Sequence, residues 1–184
     1  PLEDPQYVGR VTLPQHAELA KIATHNNKLA YLAYQQIAQS LQGLVAKYGA
    51  ERVAVVIGTS TASIYEGELA RKSLADGGEF PTDFQYQVQE MSAPATYIAD
   101  LAQAKGPVYG ISTACSSSGK ALVSASSLLE NDLADVVIAG GIDSLTQLTV
   151  NGFKSLESIS DHICRPFSGD RDGINIGEAA ALFV

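Results

Sequence analysis

Gly110-Ile-Ser-Thr-Ala-Cys-Ser-Ser-Ser-Gly-Lys120 is the stretch on which the reading of this chain turns. It follows a short apolar run, Pro107 to Ile111, and leads into a helical stretch of small residues, Ser117 to Glu130. That order predicts a strand, a tight turn and a helix, with Cys115 at the joint. The N–H groups of the first helical turn then face the sulfur, and the positive end of the helix dipole favours thiolate over thiol. Thiolate is the nucleophilic form. A buried free cysteine, by contrast, is an inert small hydrophobe. Cys164 precedes Arg165-Pro166 with no helix start behind it, and is expected to be of that inert kind.

A phosphate loop is the rival reading of the same residues. Ala114-Cys-Ser-Ser-Ser-Gly-Lys-Ala121 comes close to G-x-x-x-x-G-K-[ST]. It fails at both ends: Ala114 replaces the first glycine, and Ala121 removes the hydroxyl that would hold magnesium.

The chain has 184 residues, 46% of them hydrophobic and 17% charged, which suits one globular domain or one half of a duplicated fold. Its net charge of −8 argues against nucleic acid, which demands clustered Lys and Arg. Two cysteines make no disulfide framework, and no Cys/His cluster has zinc spacing, so no cofactor or metal is expected. A reducing, cytoplasmic setting follows from that cysteine usage. No apolar run is long enough for a membrane span. Pro1-Leu-Glu-Asp-Pro5 has no signal-peptide pattern and no initiator methionine, so the native start is expected upstream. The apolar ending, Ala179 to Val184, predicts further sequence downstream.

Outward from Cys115, apolar spacing predicts a long helix over Asn26 to Tyr48, stopping at Gly49. Arg52 to Ile57 reads as a buried strand ending at Gly58. The pattern is irregular from Thr59 to Glu90, apart from a helical piece around Gly67 to Ala75. Ser92 and Pro94 open a helix expected to stop at Gly106-Pro107. Asp135 to Gly141 reads as a second buried strand, Asp143 to Gly173 as an excursion, and Glu178 to Val184 as a last strand. Strands alternating with helices imply an α/β fold with a mostly parallel sheet covered on both faces.

Four motifs now converge. Thr113-Ala-Cys-Ser-Ser-Ser118, Asp135-Val-Val-Ile-Ala-Gly-Gly141, Gly152-Phe-Lys-Ser-Leu156, and Arg165-Pro-Phe-Ser-Gly-Asp-Arg-Asp-Gly173 with Gly177-Glu178 stand in order. Together they resemble the β-ketoacyl-acyl-carrier-protein synthases, most sharply over 107–184 and more faintly over 24–106. The resemblance implies a thiolase-like fold of two duplicated α/β halves: a mixed, mostly parallel sheet covered by helices, with a buried central helix after the nucleophile. Residues 1–184 would be the N-terminal domain, without its first strand and without the whole C-terminal half.

By the same resemblance, Cys115 accepts an acyl chain from a thioester, its N–H serving as one oxyanion donor, before decarboxylative condensation with malonyl-carrier protein. The second oxyanion donor and two catalytic histidines would lie in the other half. Phe153 would line the acyl pocket. Acyl carrier protein is the implied partner, with a homodimer through Val108 to Ile111 or a heterodimer with a related subunit. His16, His25 and His162 stand in none of the family's histidine contexts and are expected to be structural or solvated. Asp170, Arg171, Asp172 and Glu178 suggest a hydrogen-bonded knot; Lys120 is expected to reach solvent. Lys47, Arg52, Arg71 and Lys72 are candidates for docking an acidic carrier.

Three alternatives remain at this point. A thiolase would use coenzyme A but sets its cysteine in a different local sequence. A non-catalytic half could serve as a dimerisation module, although a chain-length-factor subunit lacks the nucleophile that Cys115 would supply. An unrelated cysteine hydrolase needs a nearby base that the sequence does not identify.

Overall fold

Residues 6–184 are described by the computed structural model; the opening Pro1 to Pro5 lies outside them. After a short strand β1 (Val8–Gly9) and helix α1 (Ala17–Lys21), the chain enters α2 (His25–Tyr48) and the central strand β2 (Val53–Gly58). Then come α3 (Ile64–Ala75), α4 (Ala93–Ala102), β3 (Val108–Ile111), α5 (Ser117–Glu130), β4 (Val136–Asp143), α6 (Gln147–Ser155), β5 (Ile176–Gly177) and β6 (Ala179–Phe183). The main sheet has the order β3-β2-β4-β6, and β1 pairs with β5 apart from it.

The sheet is parallel across β3, β2 and β4, with Val55 opposite both Val108 and Ile138. β6 runs antiparallel, against β4. β2 is buried along its whole length because helices cover both faces. Alternation along the strand sorts its side chains. Val53, Val55 and Ile57 face Leu29, Leu41 and Ile98 of α2 and α4, while Ala54 and Val56 face Ala121, Ala125 and Leu128 of α5. Burying each of these valines and isoleucines contributes about 1.5–3 kcal/mol.

The structure departs from the sequence expectations at four places. Helix α4 stops at Gln103, which takes a left-handed conformation with φ 54, and Ala104 N–H closes the end on Ala99 O. The excursion after Asp143 contains helix α6, capped by Thr146, whose hydroxyl accepts from Thr149 N–H at 3.1 Å. Strand β4 runs to Asp143, two residues past the expected end. Burial of α5 is one-sided: Ser117, Ala121, Ala125 and Leu128 pack on the sheet, while Leu122, Val123 and Leu129 are exposed.

Candidate active site

The joint predicted between strand and helix is present. β3 ends at Ile111, α5 starts at Ser117, and Cys115 stands exposed between them. The turn is made by Ala114, a residue with a Cβ held at φ 53, a region that costs roughly 1–2 kcal/mol for such residues. Local hydrogen bonds hold it there. Ala114 O accepts from Ser117 N at 3.0 Å and from Ser117 Oγ at 2.6 Å. Ser117 Oγ in turn accepts from Thr113 N at 2.9 Å. Ser116, the N-cap, donates its hydroxyl to Thr113 O at 2.8 Å and makes no cap bond to the helix. Thr113 and Cys115 are joined by an isolated backbone bridge within the turn.

A second loop braces the joint from the side. After β2, Thr59, Ser60 and Thr61 wrap the carboxylate of Asp143 at the end of β4. Asp143 Oδ1 accepts from Ser60 N at 2.7 Å and from Thr59 Oγ1, Thr61 N and Thr61 Oγ1 at 3.0 Å each. Ser60 Oγ reaches across to donate to Ala114 O at 3.0 Å. Ser144 closes the knot, its N–H donating to Thr61 Oγ1 and its hydroxyl to Ala62 O. None of Ser60, Thr61 and Asp143 was singled out in the sequence as a site residue. The available signal was Gly58-Thr-Ser-Thr61 directly after a buried strand.

Two glycines let these pieces meet. A Cβ on Gly58 would sit 2.4 Å from the carbonyl carbon of Ser117, and one on Gly141 would sit 1.9 Å from Ser118 Oγ. The first turn of α5 therefore rests directly on the C-terminal ends of β2 and β4.

The other candidates are held elsewhere. His16 caps α1, its Nδ1 accepting from Glu18 N at 3.2 Å. His25 opens α2 and pairs through Nε2 with Glu178 Oε2 at 2.8 Å. His162 is exposed in the segment after α6, where its carbonyl accepts from Asn175 Nδ2 at 3.0 Å. No hydrogen bond links a histidine to Cys115 among the described residues. Glu178 is the centre of a structural knot: it also accepts from Val11 N and Leu145 N, both at 3.0 Å. Burial pushes its carboxyl up, but these N–H groups and His25 outweigh that and hold it below the usual glutamate value. Asp170 pairs with Arg165 at 2.9 Å, Arg171 donates to Ser168 O, and Asp172 accepts from Ser160 Oγ.

Phe153 lies half-buried on α6, and Cys164 is partly buried, its N–H donating to Asn175 Oδ1 at 2.8 Å. Lys120 is exposed on α5. The four basic docking candidates form no single patch. Arg52 binds Asp132 at 2.6 Å and Asp135 at 2.7 Å, and stands before the first residue of β2. Cys115 follows the far end of the parallel strand β3, so a strand length of roughly 20 Å separates them. Lys47 lies over the Tyr48 ring at 4.6 Å, near the same end as Arg52. Arg71 and Lys72 belong to α3, on the other side of β2 in the chain, where Arg71 lines a groove with Phe80, Phe84 and Tyr86. Among the described residues no helix is long and apolar enough to cross a membrane.

This geometry has known counterparts. Residues 27–184 match the family model described as "Beta-ketoacyl synthase, N-terminal domain". Nodulation protein E of Rhizobium meliloti is 32% identical over 95% of this chain, and 3-oxoacyl-[acyl-carrier-protein] synthase 2 of Staphylococcus aureus is 29% identical over 84% of it. The solved ketosynthase of Xenorhabdus doucetiae, in complex with its chain length factor, superposes on 98% of the chain with a TM-score of 0.86 and 36% identity. The chain spans 41% of the nodulation protein, 40% of the synthase and 47% of the ketosynthase chain. The expected thiolase-like α/β architecture is thus the fold observed, and the chain belongs to the beta-ketoacyl synthase family, matching its N-terminal domain.

Proposed function

We propose that Cys115 is the acyl-accepting nucleophile of a β-ketoacyl synthase acting on chains carried by an acyl carrier protein. The Cys115 thiolate attacks the thioester carbonyl carbon, a C–S bond forms, and the carbonyl electron pair moves onto oxygen. The Cys115 N–H donates to that oxyanion. Collapse expels the carrier thiolate, which takes up a proton, and leaves the acyl group on Sγ. In the longer protein a malonyl thioester then loses carbon dioxide. The electron pair left on its α-carbon attacks the acyl carbon, and Cys115 leaves as thiolate.

The observation that carries this reading is an exposed cysteine on a braced strand-to-helix joint. Membership of the family supports it. Residues 1–184 are read as the N-terminal half of a duplicated fold, and the uncovered Leu122, Val123 and Leu129 face of α5 fits a second α/β half packing there. β3 is an edge strand, which fits a homodimer, or a heterodimer with a related subunit, through Val108 to Ile111. The Xenorhabdus ketosynthase was solved with such a subunit, its chain length factor. Phe153 enters as an acyl-pocket residue on the strength of the Gly152-Phe-Lys-Ser-Leu156 match alone. A cytoplasmic setting goes with the free cysteines.

The test incubates the chain with an acyl thioester and malonyl-carrier protein. The expected result is an acyl group on Cys115 and no new carbon–carbon bond, because the catalytic histidines are read as lying outside this chain. Failure of Cys115 to acylate overturns the nucleophile assignment, and full condensation by the chain alone overturns the missing-half reading.

A further inference from the structure

We propose that Ser60, braced by Asp143, is a positioning residue that sets the direction of the Cys115 N–H; this rests on the acyl-transfer reading above. A single peptide unit joins the Ala114 carbonyl to the Cys115 N–H. That unit is planar and trans, so its C=O and N–H point in opposite directions and turn together. Whatever fixes Ala114 O therefore fixes Cys115 N–H.

Among the described residues Ala114 O has three donors: Ser117 N at 3.0 Å, Ser117 Oγ at 2.6 Å and Ser60 Oγ at 3.0 Å. The first two come from the start of α5 and move with it. Ser60 comes from another part of the chain, 54 residues away. Its own backbone is anchored, since Ser60 N donates to Asp143 Oδ1 at 2.7 Å and the flanking threonines hold the same oxygen. Through Ser60 the Ala114–Cys115 peptide plane is tied to the ends of β2 and β4 as well as to its own helix. A joint held at φ 53 by a residue with a Cβ has reason to need that tie.

Two reactions of the same sulfur separate this role from general support of the fold. Alkylation by iodoacetamide forms a C–S bond as iodide leaves, and no oxyanion arises. Acyl transfer from a thioester places negative charge on the former carbonyl oxygen, where a preorganised N–H counts. Loss of Ser60 Oγ should therefore slow acylation and leave alkylation alone.

The experiment measures both rates at Cys115 in the chain and in its Ser60→Ala, Ser60→Thr and Asp143→Asn variants, with hexanoyl-N-acetylcysteamine as the thioester. Removing a whole oxyanion donor costs about 100- to 1,000-fold, so mis-aiming one predicts a loss of about tenfold in Ser60→Ala acylation. Alkylation should stay within about twofold, Ser60→Thr should restore acylation, and Asp143→Asn should show a loss of the same kind. Unchanged acylation in Ser60→Ala overturns the proposal, as does an equal fall in both rates, which marks a merely structural serine. If the unsubstituted chain is alkylated but never acylated, the acyl-transfer reading itself fails, a result distinct from either of these.

Discussion

Gly58 at the end of β2 and Ser117 at the start of α5 touch backbone to backbone. A Cβ on Gly58 would lie 2.4 Å from Ser117 C and 2.5 Å from Ser117 O. Neither partner is a flexible side chain tip, so the helix itself must move to admit a methyl group. Gly58→Ala is expected to destabilise the chain by about 2–3 kcal/mol, the upper part of the range for overpacking, as read by urea denaturation. It should also slow thioester acylation of Cys115, because the moved helix carries Ser117.

Gly141 makes the milder version of the same contact. A Cβ there meets the Ser118 side chain, 1.9 Å from Oγ and 2.8 Å from Cβ. Rotating the hydroxyl relieves the closer clash. Gly141→Ala is expected to cost less than Gly58→Ala, about 1–2 kcal/mol, and Ser118→Ala in the same chain should recover part of the loss. Strict additivity of the two substitutions in denaturation would contradict this packing.

Glu178 joins the N-terminal segment, α2 and the residues after β4 through Val11, His25 and Leu145. Glu178→Gln is expected to cost about 1–3 kcal/mol at neutral pH, the range for disturbing buried hydrogen bonds to a charged group. The folded carboxyl sits below its unfolded value despite burial. Its contribution is therefore present above the ordinary glutamate value, about 4.3, and is lost as pH falls through the folded value. The stability gap between parent and variant should close on the acid side; a constant gap below that range would speak against the assigned contacts.

Glu66 has the opposite sign. Burial raises its carboxyl, outweighing the N–H of His25 that donates to Oε1 at 2.6 Å. Its Oε2 is buried without a partner among the described residues. Stability from this group falls as pH rises from the ordinary glutamate range through the raised folded value. Glu66→Gln should flatten that part of the pH–stability curve, and an unchanged slope would argue that Glu66 is solvated.

The buried strands were legible because apolar runs such as Val53 to Ile57 have no other home, and the Cys115 joint was legible from its abrupt change of residue type. The antiparallel direction of β6 was not, since pairing direction leaves no trace in Ala179 to Phe183. Gln103 ends α4 in a conformation usually given to glycine, so its sequence carried no stop signal. The Asp143 knot was invisible for another reason: Thr59 and Asp143 are separated by 84 residues, and only the β2–β4 register brings them together. The four basic candidates illustrate the converse: Arg52 is held by Asp132 and Asp135 ahead of β2, while Arg71 and Lys72 lie on α3.

The most direct measurement is competitive labelling of the two cysteines in one sample, with peptide mass mapping after brief exposure to the acyl thioester. Cys115 is exposed on the joint, and Cys164 is partly buried beside Asn175. Acylation of Cys115 is expected well before that of Cys164. Equal labelling, or labelling of Cys164 first, would contradict it.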